Sequence, residues 1–86
     1  MHDRSDEELM RLVAATADEA AFHELFDKYW PRVRAFLRSA GTGATEAEDL
    51  AQETFLNIVR YRHTYKPDRT FVSWLYQIAR NAAARS

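Results

Sequence analysis

The side chains of this 86-residue chain that could bind a partner are concentrated in two stretches. Residues 47–56 read AEDLAQETFL and mix acidic and amide groups with leucine. Residues 71–81 read FVSWLYQIARN and combine aromatic, amide and arginine side chains. Aromatic rings stack on unpaired bases, amides bond to base edges and arginines pair with phosphates. The first stretch therefore favours binding to a basic protein, and the second favours binding to a polyanion.

A basic loop precedes the second stretch. Residues 63–69 interleave basic and aromatic side chains around Pro67-Asp68, and loops of this kind can wrap a base that is flipped out of its stack. On a helix, the polar residues of the second stretch point away from its apolar ones, whereas Trp74 is interpreted as covering the core. The candidate nucleic-acid ligands are the basic, aromatic and polar residues His63, Tyr65, Lys66, Arg69, Ser73, Tyr76, Gln77, Arg80 and Asn81.

The charges are divided unevenly along the chain. Residues 1–59 hold six Lys and Arg against twelve Asp and Glu, a net charge of −6. Residues 60–86 hold six basic residues against Asp68 alone, a net charge of +5, which agrees with the formal net charge of −1 for the chain. Such an asymmetry indicates two partners of opposite charge. The simpler interpretation is a solvated surface with unevenly placed charges.

Catalytic and metal-binding chemistry have little support in the sequence. There is no cysteine, the histidines His2, His23 and His63 have no ligand spacing, and two glycines cannot form a phosphate-binding loop. The acidic residues between 46 and 53 would lie on one exposed helix, which cannot shield them from water. We therefore predict a protein that is not an enzyme and that needs no metal or cofactor. No apolar run reaches membrane-spanning length and the acidic start is not a signal peptide, so we expect a cytoplasmic location.

Four helices are predicted to position these side chains, over 6–16, 19–38, 46–62 and 71–85, because apolar residues recur in them at helical spacing. The residues that can cap them are the Ser5–Glu8 pair, Asp18, the Thr45–Glu48 pair and Thr70. Pro31 should kink or locally open the second helix. Nothing alternates with a period of two over a useful length, so the fold class predicted is all-α, a compact bundle of four helices.

The third predicted helix has one apolar face and one mostly polar face. Ala47, Leu50, Ala51, Thr54, Phe55 and Ile58 cluster on the apolar face at about 100° per residue. The other face carries Asp49, Gln52, Glu53 and Arg60 around Leu56. A leucine surrounded by charged and amide groups is typical of a binding hot spot, but single exposed leucines are also common. The residues alone leave both interpretations open.

These motifs resemble region 2 of bacterial sigma factors, most closely the extracytoplasmic-function group. The likeness covers almost the whole chain, from Asp6-Glu7-Glu8-Leu9 through the pattern at 21–29 to residues 47–56 and 73–81. The acidic–glutamine motif followed by the tryptophan–leucine to arginine–asparagine motif forms a fairly specific pair. The resemblance implies that residues 1–86 form one domain of a transcription initiation factor.

The resemblance also implies partners and roles for the two surfaces. In that family the segment similar to 47–60 docks on the clamp helices of the RNA polymerase β′ subunit, which implies polymerase contacts for Asp49, Gln52, Glu53, Leu56 and Arg60. The segment similar to 63–81 captures the non-template strand of the minus-ten promoter element as it melts. By resemblance, the loop 63–69 forms the base pocket, and Tyr76, Gln77, Arg80 and Asn81 lie along the strand. An anti-sigma factor that covers these surfaces is a further implied partner.

Two other functions stay open. The chain could be a sigma-mimic that titrates an anti-sigma factor without binding DNA, although such a decoy needs no segment of charge +5. It could instead read intact duplex with a recognition helix. A complete sigma factor carries a second helical domain that binds the minus-thirty-five element. This chain stops at Ser86 before any such domain, so we expect an excised domain or a natural short form.

Overall fold

The first helix, α1, spans Asp6–Thr16 and begins at the predicted capping box. The structure is a computed structural model and describes residues 4–85. The Ser5 hydroxyl accepts a hydrogen bond from the Glu8 N–H at 3.1 Å, and the Glu8 carboxylate accepts one from the Ser5 N–H at 3.2 Å. Hydrogen bonds from Ser5 favour the ionised carboxylate and hold the pKa of Glu8 below its usual value.

The second helix, α2, spans Glu19–Ser39 and is the longest of the four. Asp18 accepts a hydrogen bond from the Ala21 N–H at 2.8 Å, which confirms Asp18 as the N-cap. The helix continues through Pro31, whose nitrogen has no hydrogen to donate to the preceding turn. Its buried residues Ala21, Leu25, Tyr29, Val33 and Leu37 recur every fourth position or so. They form one apolar stripe that faces the other helices.

The third helix, α3, spans Ala44–Arg60, so the predicted range of 46–62 was wrong at both ends. Its N-cap is Gly43, which has no side chain to accept a hydrogen bond, and Thr45 and Glu48 lie inside the helix rather than capping it. The Thr45–Glu48 spacing matches a capping box, but the backbone is already helical at Ala44. At the other end the chain leaves the α-helix after Arg60 and tightens into a 3-10 turn over Arg62–Thr64.

The fourth helix, α4, spans Phe71–Arg85 as predicted. The Thr70 hydroxyl accepts a hydrogen bond from the Ser73 N–H at 3.3 Å, which agrees with its predicted capping role. The loop before it contains a turn closed by a hydrogen bond from the Arg69 N–H to the Lys66 carbonyl at 3.0 Å. The basic loop is therefore short and held at both ends.

The core lies where α2 meets α1, α3 and α4. The large side chains that are fully buried are Met10, Val13, Leu25, Val33, Leu37, Ile58, Phe71 and Leu75. Trp74 is 6% exposed, which confirms that it covers the core, whereas the apolar Ile78 of α4 is only partly buried against it. Within residues 4–85 there is no β-strand, and no helix is long and apolar enough to cross a membrane. The predicted all-α bundle of four helices is confirmed.

Candidate protein and nucleic-acid interfaces

The outward face of α3 presents Leu56, whose exposed fraction is 64%. Asp49 and Gln52 are exposed beside it, and Glu53 is partly buried. Leu56 does not stand alone, because it borders a shallow apolar groove between α2 and α3. Phe22, Phe26, Gln52, Phe55 and Leu56 line this groove, whose volume is about 270 Å³. The apolar surface around Leu56 thus continues onto α2, a helix to which the sequence analysis assigned no binding residue.

Two of the charged residues predicted on this face already have partners within the domain. Glu53 receives a hydrogen bond from the Arg85 guanidinium of α4 at 3.5 Å. Arg60 donates to the side-chain oxygen of Asn57 at 3.2 Å, and Asn57 is buried. An exposed ion pair such as Arg85–Glu53 contributes little stability, so Glu53 can turn toward a protein that docks on α3. Arg60 is held more firmly, because turning away would leave the buried Asn57 oxygen without this hydrogen bond.

The outward face of α4 carries three of the predicted nucleic-acid ligands in one hydrogen-bonded chain. The Arg80 guanidinium donates to the Gln77 side-chain oxygen at 3.1 Å, and the Gln77 amide nitrogen donates to the Asn81 side-chain oxygen at 3.2 Å. All three residues are exposed. Their spacing of three and four residues places them on one side of the helix. The arrangement offers amide and guanidinium donors to a strand lying along α4.

Tyr76 and Ser73, also predicted on this face, are more constrained. The Tyr76 ring is partly buried and meets the ring of Phe36 on α2 edge to face, with centroids 5.0 Å apart. The Ser73 hydroxyl donates to the Thr70 carbonyl at 3.0 Å and accepts from the Thr70 hydroxyl at 3.0 Å. Ser73 therefore helps to close the first turn of α4, and Tyr76 leaves only part of its ring for stacking.

The loop before α4 is organised around Tyr65. Its ring meets Trp74 edge to face with centroids 5.2 Å apart, and its hydroxyl donates to the Arg69 carbonyl at 2.8 Å. Burial raises the pKa of Tyr65, which extends to higher pH the range over which the hydroxyl can donate this bond. His63, Lys66 and Arg69 are exposed around it. Tyr65 thus fixes the loop, while the basic side chains remain available to a ligand.

A pocket opens between this loop and α1. It has a volume of about 290 Å³ and is lined by Glu7, Arg11, Ala14, Ala15, Arg62, His63, Tyr65 and Pro67. The Arg62 Nε is buried and has no hydrogen-bond partner within the described residues, although its Nη1 donates to the Val59 carbonyl at 2.9 Å. The sequence pattern predicted His63 and Tyr65 here but missed Glu7, Arg11 and Arg62. No local signal marks Glu7, because acidic residues are favoured in the first turn of any helix by its dipole.

Metal chemistry finds no support in this arrangement. Within residues 4–85, no group of three or more His, Asp or Glu side chains could hold a metal ion. His2, one of the three histidines, lies outside the described residues. What the two faces offer is a rim of hydrogen-bond donors and charges around apolar or aromatic groups, which suits binding rather than reaction.

Comparison with known proteins gives the family. The sequence model of Sigma-70 region 2 matches residues 25–86. The extracytoplasmic-function (ECF) RNA polymerase sigma factor RpoE of Cereibacter sphaeroides is 40% identical over an alignment of 86 positions. This alignment covers 94% of this chain and 48% of that protein. The chain thus spans about half the length of this relative.

Two solved structures are similar in fold and in sequence. One is the crystal structure of Rhodobacter sphaeroides SigE in complex with the anti-sigma ChrR, with a TM-score of 0.91 and 36% identity, covering 99% of this chain and 53% of that one. The other is the NMR structure of an engineered region 2 of sigmaE in complex with GTAAAA, with a TM-score of 0.85 and 30% identity, covering 99% of this chain and 88% of that one. The chain therefore belongs to the Sigma-70 region 2 family, the domain of non-enzymatic transcription initiation factors, in its extracytoplasmic-function group.

Proposed function

We propose that this chain binds the core RNA polymerase through α3 and holds the melted non-template strand of the minus-ten promoter element with the loop and α4. The observation that carries the proposal is the exposed chain Arg80–Gln77–Asn81 on α4, next to the basic loop. The likeness to a region 2 solved with GTAAAA supports a nucleic acid on this surface. The domain would comprise residues 1–86 and act in the cytoplasm, where transcription takes place.

Strand capture uses two kinds of contact. Lys66, Arg69 and Arg80 are exposed cations that can pair with phosphates, and this end of the chain has a net charge of +5. Gln77 and Asn81 retain amide groups that can bond to the edges of unpaired bases. The pocket between α1 and the loop, at about 290 Å³, lies near the lower end of small-ligand sites, roughly 300–1,000 Å³. We assign it to one unstacked base, with His63 at its rim and Tyr65 in its wall.

Polymerase binding uses the apolar groove and its polar rim. Leu56 and the groove beside it provide a central anchor, and Asp49, Gln52, Glu53 and Arg60 surround that anchor with charged and amide groups. This composition fits the clamp helices of the β′ subunit. The likeness to a sigma factor solved with an anti-sigma protein supports a second protein partner, an anti-sigma factor that competes for these surfaces.

The test is a titration of the purified chain at low salt with three labelled DNAs. One is a single strand that contains GTAAAA, one is a single strand of scrambled sequence, and one is the duplex of the first. We expect the first single strand to bind best. Arg80→Ala should weaken binding, whereas Arg38→Ala, on the far side of α2 from Tyr76, should not.

Two outcomes would contradict this proposal. Equal affinity for the strand and its duplex would indicate a duplex-reading domain instead. No binding to either DNA by a chain that still binds the β′ clamp helices or an anti-sigma factor would favour the sigma-mimic.

A further inference from the structure

A carboxylate of α1 holds the first turn of α4. The Glu7 Oε2 accepts a hydrogen bond from the backbone N–H of Phe71 at 2.8 Å, across 64 residues of sequence. The first N–H groups of a helix have no partner within the helix and need one from outside. Thr70 supplies a partner for the Ser73 N–H from within the loop, and Glu7 supplies one for Phe71 from a different helix. The start of α4 is thus fixed partly by α1.

The neighbouring carboxylate, Asp6, is connected to Phe71 through Tyr29. Asp6 accepts hydrogen bonds from the Tyr29 hydroxyl and from the Lys28 ammonium, the latter at 3.0 Å. The Tyr29 ring packs against the fully buried ring of Phe71, with centroids 5.6 Å apart. Consecutive carboxylates of α1 therefore hold Phe71 twice, Glu7 by its backbone and Asp6 through Tyr29. A shift of α1 would move the point where the basic loop enters α4.

Glu7 also lines the pocket between α1 and the loop, together with Arg62 and Tyr65. A negative charge at this place opposes the binding of a polyanion, since like charges repel. A carboxylate at this position is compatible with DNA binding if Glu7 favours binding by holding α4 in place against the loop, and if that gain exceeds the repulsion between its charge and the DNA. That balance can be measured, because a substitution can remove the charge while it keeps the hydrogen-bond acceptor.

We propose that Glu7 is a positioning residue of the nucleic-acid surface. Its carboxylate sets the start of α4 against the loop, and so aligns the pocket with the residues Gln77 and Arg80 further along the helix. This inference rests on the proposed function, because it concerns the same strand-binding surface. Glu7 does not need to contact the strand itself.

The experiment compares Glu7→Gln and Glu7→Ala with a matched pair, Glu8→Gln and Glu8→Ala. Glu8 is a suitable control because its carboxylate also accepts a backbone N–H, that of Ser5, but within the cap of its own helix. Each folded variant is titrated with the GTAAAA-containing single strand and with the scrambled strand. Hydrogen exchange of the Phe71 amide is followed by NMR in the same samples, well below the melting temperature.

We expect Glu7→Ala to lose protection of the Phe71 amide and to bind the specific strand about 5–10-fold more weakly, which corresponds to the net contribution of one ordinary hydrogen bond. Glu7→Gln keeps an acceptor for the amide, so it should preserve the preference for the specific strand. Its affinity for both strands should rise about twofold, because a like charge is removed. Both Glu8 variants should leave affinity and Phe71 protection at the wild-type level.

The outcomes separate this inference from the function on which it rests. If the wild-type chain binds neither strand, the proposed function fails and the positioning role fails with it. If the wild type binds the specific strand but Glu7→Ala binds it equally well, only the positioning role is overturned. Equal tightening by Glu7→Ala and Glu7→Gln would also overturn it, because Glu7 would then act by its charge alone.

Discussion

The rings of Phe36 and Tyr76 meet edge to face, with centroids 5.0 Å apart and an angle of 78° between their planes. This contact packs the side of α4 that we propose to bind DNA against the C-terminal half of α2. Residues 28–39 of this helix carry Lys28, Arg32, Arg34 and Arg38, and there is no acidic residue between 28 and 45. The net charge of −6 over residues 1–59 hides this basic segment, because acidic residues lie on both sides of it. Its cations differ, however, in which side of α2 they occupy.

Arg32 is the α2 cation expected to extend the nucleic-acid surface. It lies one turn before Phe36 on the same side of the helix, and its guanidinium sits over the Tyr29 ring, 5.5 Å from the centroid. Arg32→Ala should weaken single-strand binding by about threefold to tenfold, as for the loss of one phosphate contact. Fluorescence anisotropy with a labelled minus-ten strand measures the change.

Arg38 provides the matched control for that measurement. It lies two residues after Phe36 and therefore on the opposite side of α2. Arg38→Ala removes the same charge from the chain, so a general loss of electrostatic attraction would weaken both variants equally. A selective effect of Arg32 is the expected result, and equal effects would show that the surface does not reach α2.

Leu56 should act as the anchor of the polymerase-binding face. Leu56→Ala is expected to weaken binding to a β′ clamp-helix fragment by about 1–3 kcal/mol, the hot-spot range. Because 64% of Leu56 is exposed, the thermal midpoint of the domain should hardly change. Val72→Ala is a suitable control, since Val72 is also apolar and 39% exposed but lies on α4. A lower midpoint with unchanged binding would assign Leu56 to the packing of the domain instead.

Trp74 should matter for stability rather than for contact with DNA. It is 6% exposed and lies between Tyr65 and Phe71, with ring centroids 5.2 and 6.2 Å away. Trp74→Ala should lower the free energy of unfolding by about 3–5 kcal/mol. Trp30→Ala is the comparison, because Trp30 is only partly buried and stacks on Phe26 at 5.1 Å. Its loss should cost less, and a stable Trp74→Ala variant that no longer binds DNA would contradict this assignment.

The helices and their inward faces were predictable because they depend on local patterns. Ser5 and Thr70 marked the starts of α1 and α4 correctly, since a capping side chain bonds to the backbone three residues away. The same rule failed at Thr45, where a matching pair of residues is not sufficient to set the helix start. Local patterns therefore predicted the number of helices more reliably than the residues at which each helix begins and ends.

The contacts that shape the proposed nucleic-acid surface were not predictable from these patterns. The hydrogen bond from Phe71 to Glu7 joins residues 64 positions apart, and the contact of Tyr76 with Phe36 joins two different helices. Periodicity shows which side of each helix is apolar, but it does not show which helix packs against it. The candidate residues along α4 could be named from the sequence, whereas the contacts with Glu7 of α1 and Phe36 of α2 are seen only in the packing.

Tyr29 should make the stability of the domain sensitive to alkaline pH. The pKa of Tyr29 is raised well above its ordinary value of 10.0, first by burial and then by the hydrogen bond to Asp6, against a smaller opposing effect of Arg32. Above about pH 10 the unfolded chain ionises this group and the folded chain does not, so stability falls as pH rises. The loss can reach about 1.4 kcal/mol per pH unit. Below pH 10 this contribution is fully present.

Tyr29→Phe separates that effect from other alkaline titrations. It should lower the free energy of unfolding at pH 7 by about 1–3 kcal/mol, because the hydrogen bond to Asp6 is lost. It should also flatten the decline above pH 10. Urea unfolding of both proteins at pH 7, 9, 10 and 11 gives the comparison. Parallel declines in the two proteins would mean that Tyr29 ionises as readily in the folded domain as in the unfolded chain.

Single-strand binding should be weak and sensitive to salt. Two to four phosphate contacts on a single strand predict a slope of about −1.5 to −3 for the logarithm of the binding constant against that of the salt concentration. Arg80→Ala removes one such contact and should reduce the magnitude of the slope by about 0.7. Asn81→Ala is the control, because Asn81 is uncharged and its side-chain oxygen accepts from Gln77 on the same exposed chain. Asn81→Ala should lower the affinity without changing the slope. If the slope changes for Asn81→Ala but not for Arg80→Ala, Arg80 does not contact a phosphate of the strand.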